Sequence, residues 1–230
     1  PTSVPSVTPA TPASPTVPCG ADPADCTEVR MVPVSVNPAN QFADTPSGIP
    51  DPATAGPPWW LIGTEGGFRD LPAATRLALD REALASGEID LLDFEVANGP
   101  ARVEGIREAC GKAGVPLILS HHNFQETPDG AFLTAKLREA RDLGAAVAKL
   151  AVMPRSYGDV LTLLSATYRA RLEMPETPLI TMAMGAEGAV SRAAGGLFGS
   201  DLTFAIGQAS SAPGQIPIGD LRAAWQALKL

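Results

Sequence analysis

The chain of 230 residues is poor in several residue types that carry chemistry: two histidines, two tyrosines, three tryptophans and three cysteines. Cys19, Cys26 and Cys110 are too few and too scattered to frame a disulfide scaffold or a zinc site, which makes a reducing, cytoplasmic setting the expectation. Cations are scarce as well. Seventeen Lys and Arg face 25 Asp and Glu, a net charge of −8, which argues against a nucleic-acid partner. No apolar run reaches 18 residues, so no membrane span is expected, and no charged-then-apolar leader of the secretory kind opens the sequence. What the chain does have is 45% hydrophobic against 18% charged residues. That supports a sizeable core and excludes a wholly disordered protein.

Proline divides the chain. Fourteen of the 23 prolines fall in the first 58 residues. Residues 1–20 read as a Pro/Ser/Thr-rich extended tail, and 37–58 as a long loop rich in Pro, Gly, Asp and Asn. The remainder, 21–230, reads as one domain that is irregular between 37 and 58. Apolar runs of strand length lie at 28–32, 59–62, 89–96, 115–120, 146–153, 178–184 and 202–206. Segments of helical spacing lie between and after them at 72–86, 101–113, 130–143, 157–172, 187–198 and 218–230. Such alternation predicts an α/β fold with a parallel sheet covered by helices. Seven strands fall one short of a (β/α)₈ TIM barrel, which the pattern favours, with a degenerate N-terminal quarter. The alternative, an open doubly wound sheet, is weakened by the lack of a Gly-x-Gly-x-x-Gly after an early strand.

In a barrel the chemistry sits where strands end. The polar residues at those ends are Glu65, Asp93, Glu95, His122, Lys149, Arg192, Ser211 and Gln215. Lys149 lies inside the apolar run Ala-Val-Ala-Lys-Leu-Ala-Val-Met and is one of only four lysines. Burial of an ammonium gives it reason to lose its proton and act as an amine nucleophile; the alternative is a lysine paired with a buried carboxylate. His121 and His122 share one strand end, where alternation lets only one face a common site. Two adjacent histidines on a strand make a poor metal pair, and no metal is expected. Glu65, before Gly66 and Gly67, suits either a partner for the histidine or a solvated turn. Arg192 offers a planar fork for a carboxylate, and 210–215 forms a small-residue loop suited to closing over a ligand.

These residues fall in an order: Glu-Gly-Gly (65–67), Asp-x-Glu (93–95), Ser-x-His-x-Phe with Thr-Pro (120–128) and Lys-x-Ala-Val-Met-Pro (149–154). Met-Gly-x-x-Gly-x-x-Ser-Arg (184–192), Phe-Gly-Ser (198–200), Thr-Phe-Ala (203–205) and Ala-Pro-Gly-Gln (212–215) follow. Together they resemble type I 3-dehydroquinate dehydratase, from about residue 59 onward. The resemblance implies a (β/α)₈ barrel, usually a homodimer, that dehydrates 3-dehydroquinate to 3-dehydroshikimate in the shikimate pathway without metal or organic cofactor. By position it makes Lys149 the Schiff-base lysine, His122 the general acid/base and Glu65 the carboxylate that partners it. Arg192, Ser211 and Gln215 become substrate contacts, with Glu28 and Arg30 of 28–32 as further ones.

The departures cluster early. Val32 stands where the family has Asp, Leu61 where it has an arginine before Glu-Gly-Gly, and Asn123 where it has Asp beside the histidine. The expectation is an intact proton-transfer core with altered substrate contacts. A degenerate or regulatory homologue, and a Schiff-base lyase or aldolase acting on another keto-acid, are the alternative readings.

Overall fold

The computed structural model describes residues 73–87, 89–206 and 213–229. The expected tail at 1–20, the irregular stretch 37–58 and the strands at 28–32 and 59–62 lie outside these residues.

The apolar runs become four parallel strands: β1 (Leu92–Glu95), β2 (Leu117–Asn123), β3 (Val147–Val152) and β4 (Leu179–Ala183). Helices α1 (Ala73–Ser86), α2 (Pro100–Ala113), α3 (Gly130–Asp142), α4 (Tyr157–Glu173), α5 (Ala189–Ala194) and α6 (Ile218–Leu228) alternate with them and follow them. The strands lie side by side in chain order, β1-β2-β3-β4. That order never reverses, whereas a doubly wound sheet reverses at its switch point; sequential parallel pairing is the arrangement of a (β/α)₈ barrel.

Local sequence explains the boundaries. Asp129 caps α3 by accepting from the Phe132 amide at 2.9 Å, and Ser156 with Asp159 forms a capping box on α4. α2 starts with Pro100 in its first turn and stops at Gly114, whose φ of 70° only glycine adopts without strain. Two expectations need correction. The helix expected over 187–198 is α5 followed by a 3₁₀ turn, Gly195–Phe198, because the Gly195-Gly196 pair breaks it. The strand expected at 202–206 contributes only a single bridge, Ile206 to Pro217. Its polar groups are engaged elsewhere: Leu202 O accepts from Ser200 Oγ at 3.1 Å, Phe204 O from Arg192 at 3.3 Å, and the Ile206 amide donates to Ile216 O at 2.8 Å.

The pleat sorts side chains into two sets. Leu92, Phe94, Leu117, Leu119, Ala148, Leu150, Val152 and Leu179 point outward into one apolar cluster with Val103, Ile106, Leu133, Leu137, Val160 and Leu163 of the helices. Ile118, Val147, Ala151, Ile180 and Met182 form a second cluster on the opposite, inner face. Because both faces are covered, the strands read as continuous apolar runs.

A polar clamp fixes the start of β4. Arg171 of α4 donates to Gly199 O at 2.8 Å and to Pro175 O at 2.9 Å, and forms an ion pair with Asp201. Asp201 in turn accepts from the Leu179 amide at 2.6 Å. Gly199 sits at φ 99°, and a Cβ there would meet the Arg171 Cβ at 2.6 Å, so the arginine stem needs this glycine. Replacing one member leaves half-buried charged partners unmatched. Arg171→Met is expected to lower stability by about 2–4 kcal/mol in urea unfolding; a loss below about 0.5 kcal/mol would show that the clamp is a surface pair.

Candidate active site

The inner face carries, beside its apolar members, the charged and polar residues that the strands bury. Strand register fixes their spacing. Asp93 pairs with Ile118 and Glu95 with Ser120 across β1–β2; Ser120 pairs with Lys149 and His122 with Ala151 across β2–β3. Residues 93, 95, 120, 122 and 149 therefore share one face of three neighbouring strands.

Lys149 is 6% exposed. Its Nζ donates to Asp93 Oδ2 at 2.5 Å and lies 4.7 Å from the centroid of the Phe204 ring. A buried ammonium requires such a partner, and the aromatic face adds attraction for the cation. Burial alone would push the Asp93 carboxyl up. The opposite charges of Lys149 and His122, with the Lys149 hydrogen bond, outweigh it and hold the carboxyl below its ordinary value. Asp93 is thus a fixed negative charge beside the amine. Of the two sequence readings of Lys149, the lysine paired with a buried carboxylate is the arrangement present here.

His122 turns inward and His121 outward. The His122 Nδ1 lies 3.6 Å from Glu95 Oε1, and its ring stacks on Phe124 with centroids 5.9 Å apart and planes 19° apart. His121 makes an edge contact with Phe132 of α3 at 5.9 Å. Both carboxylates beside the site, Asp93 and Glu95, come from the Asp-x-Glu of β1. The sequence reading placed them at a strand end and gave neither a role; the signal was their spacing of two, which puts both on one face. Glu65, Glu28, Arg30 and Ser211 lie outside the described residues.

Arg192 is 1% exposed. Nη1 donates to Phe204 O at 3.3 Å and Nη2 to Pro213 O at 3.2 Å, while Nε has no hydrogen-bond partner among the described residues. Burial pushes the guanidinium down to about 10, so it stays charged at neutral pH. Sequence analysis assigned Arg192 to a substrate; in this structure two of its nitrogens hold the chain on either side of the 207–212 segment. Gln215 follows Gly214 on the same stretch. A Cβ on Gly214 would lie 2.0 Å from Gly185 O, so only glycine lets this stretch approach the loop after β4. Asn123 accepts from the amides of Gln125 and Glu126 at 2.9 and 3.0 Å, closing the turn after β2. Among the described residues no group of three or more His, Cys, Asp or Glu side chains is placed to hold a metal ion, and no helix is long and apolar enough to cross a membrane.

The family profile of type I 3-dehydroquinase matches residues 63–230. The chain belongs to the type I 3-dehydroquinase family. It is 52% identical over 160 residues to the 3-dehydroquinate dehydratase of Geobacillus thermodenitrificans, covering 69% of this chain and 61% of that protein. The Bacillus subtilis protein of the same name is 42% identical over 158 residues, 69% of this chain and 62% of its own length. Among solved structures, the Geobacillus kaustophilus 3-dehydroquinate dehydratase superposes with a TM-score of 0.69 at 48% identity, over 72% of this chain and 64% of that one. The Clostridium difficile type I enzyme, solved with covalently modified comenic acid, gives 0.68 at 35% identity over 71% and 65%. The chain therefore spans about three fifths of the length of the curated relatives it matches. The (β/α)₈ barrel is the fold of this family, and β1–β4 form a run of its consecutive strands.

Asp80 of α1 lies close enough to the two carboxylates of β1 to sense them. Burial pushes its carboxyl up to about 7; Arg76 pulls the other way, and the charges of Asp93 and Glu95 push it further up. The Cys110 thiol is likewise pushed up to about 11 by burial and by Asp80, so it is no nucleophile at neutral pH. A carboxyl raised in the fold stays protonated where the unfolded chain has already ionised. Stability is therefore lost as pH rises from about 4 to about 7 and is level above that. Asp80→Asn is expected to raise stability by up to ~4 kcal/mol at pH 8 and to change it little at pH 4. Chemical unfolding at both values checks this, and an equal gain at both would refute it.

Proposed function

We propose that this chain carries the catalytic half of a 3-dehydroquinate dehydratase, a hydro-lyase of the shikimate pathway that gives 3-dehydroshikimate from 3-dehydroquinate through a Schiff base on Lys149. The observation that carries the reading is the buried Lys149–Asp93 pair on the face that also holds His122 and Glu95. Membership of the family and the printed names of the relatives support it. So does the covalently modified comenic acid of the Clostridium difficile relative, which fits a reactive nucleophile in such a site.

In this reading the Lys149 amine attacks the C3 ketone and water departs as the imine forms. The protonated imine inherits the position of the ammonium, so Asp93 and the Phe204 ring that now face the amine stabilise its charge. That charge draws electrons from C2. His122, on the neighbouring strand, takes the C2 proton and delivers a proton to the C1 hydroxyl as it leaves as water. Hydrolysis of the imine then frees the amine and the unsaturated ketone. Glu95 steadies the imidazolium from Nδ1, and Glu65 is proposed to join it. Arg192, Ser211, Gln215, Glu28 and Arg30 are proposed as contacts for the substrate carboxylate and hydroxyls. No organic cofactor or metal enters these steps, and a cytoplasmic homodimer completes the reading. A chain retaining only a ligand-binding role would have no need of a lysine buried beside a carboxylate and a histidine.

Incubation with 3-dehydroquinate and borohydride is expected to leave a reduced adduct on the peptide containing Lys149, and Lys149→Arg is expected to give neither adduct nor turnover. An adduct on Lys112, Lys136 or Lys229, or none, would sink the assignment.

The two histidines separate in the same way. His122→Ala is expected to lose ~10²–10⁴-fold in kcat, while His121→Ala, remote from the inner face, stays within about tenfold of the parent. Equal losses would mean that proton transfer does not depend on the inward ring.

A further inference from the structure

Of the polar residues that β1, β2 and β3 turn inward, Ser120 has no part in the proposed chemistry. It follows the apolar run Leu117-Ile118-Leu119 and is fully buried. Register sets it beside Glu95 of β1 on one side and Lys149 of β3 on the other. A buried serine often satisfies its hydroxyl on a nearby backbone carbonyl. Here β2 has a strand on each side, so its carbonyls serve the two ladders. The Oγ meets no partner of full hydrogen-bond geometry among the described residues, and a buried hydroxyl calls for an acceptor.

Asp93 is that acceptor. Its Oδ2 takes Lys149 Nζ at 2.5 Å. Burial pushes the Asp93 carboxyl up, and Lys149, His122 and the Ser120 hydroxyl together hold it down. These three groups differ during the proposed turnover. Lys149 as ammonium and the ketone give the protonated imine and water: two of the three Nζ protons leave with the ketone oxygen, and one N–H remains. His122 gains a proton and gives it up. The serine hydroxyl exchanges no proton in these steps, so it is the donor that stays with Asp93 while Nζ is transformed. Its contact falls short of full geometry in the resting pair, and such contacts commonly tighten once a complex forms.

We infer that Ser120 is a positioning residue for the Lys149 chemistry: its hydroxyl bonds the Asp93 carboxylate and keeps it aimed at Nζ while the ammonium becomes the imine. The inference rests on the Schiff-base reading of Lys149 and adds a residue that acts through Asp93 without touching substrate. Such a residue affects the chemical step and leaves the substrate contacts alone, so its loss lowers kcat while KM holds.

Steady-state kinetics on 3-dehydroquinate, with borohydride trapping in a single turnover, tests it. Ser120→Ala is expected to lose about tenfold or more in kcat, with KM within about threefold of wild type. The Lys149 adduct is expected to form more slowly by the same factor. Ser120→Cys, of nearly the same volume but a weak donor, is expected to match it, and serves where Ser120→Ala fails to fold in urea titration. A folded Ala or Cys variant with kcat within about threefold of wild type, or one whose KM rises while kcat holds, would overturn the inference and leave the Lys149 reading standing. A wild-type chain that traps no adduct on Lys149 would overturn that reading and this inference with it.

Discussion

A lysine on the inside of a barrel must be neutralised by something, and Asp93 does it. The 2.5 Å contact between the two is the point from which the rest of the site is arranged. An ammonium among Ile118, Val147, Ala151 and Ile180 without a counter-charge would cost more than the domain's net stability can absorb. With the carboxylate present, the pair is held in a medium that screens it poorly, so any positive charge formed at Nζ is stabilised without reorganisation. His122 lies on β2, between the strands that carry Lys149 and Asp93, so the proton transfer proposed for it would take place beside the pair.

Register is what lets three short segments cooperate. The parities of 93, 95, 120, 122 and 149 agree because β1, β2 and β3 are parallel and paired without slippage. A slip of one residue would send Lys149 into the helix layer and Leu150 into the site. Outward residues oppose such a slip: Leu119, Leu150 and Leu179 are fully buried against the helices, so the outer packing holds the inner chemistry in place.

This division explains what could be read from the sequence. Lys149 stood out because a charge inside an apolar strand has few explanations, and His122 was separable from His121 by alternation once a face was chosen. The helices and four of the strands were legible from period and length. The strand expected at 202–206 was not, because Leu202 and Phe204 are apolar for a different reason: they close the inner cluster and cover the Lys149 amine, while side chains rather than a ladder hold their backbone. Asp93 and Glu95 were visible as Asp-x-Glu, but their partners are 56 and 27 positions away and only the sheet brings them together. For the same reason no local pattern could show that Arg192 holds Pro213.

The site carries charges of both signs, linked through Phe204: Arg192 bonds its carbonyl and Lys149 lies over its ring. Asp93 and Glu95 place two carboxylates around Lys149 and His122, while the buried Arg192 stands among Met182, Phe204 and Pro213, with Nε unpartnered among the described residues. For the proposed substrate, an anionic keto-acid, the β1 carboxylates would repel the acid group and the guanidinium would attract it, which would leave the ketone toward the amine. The proposed reaction needs that orientation, because an imine at any other carbon would acidify the wrong proton. A positive group whose hydrogen bonds go largely to the protein's own backbone would serve that proposed purpose through its field, and its bond to Phe204 O would tie the ligand's orientation to the ring that covers the lysine.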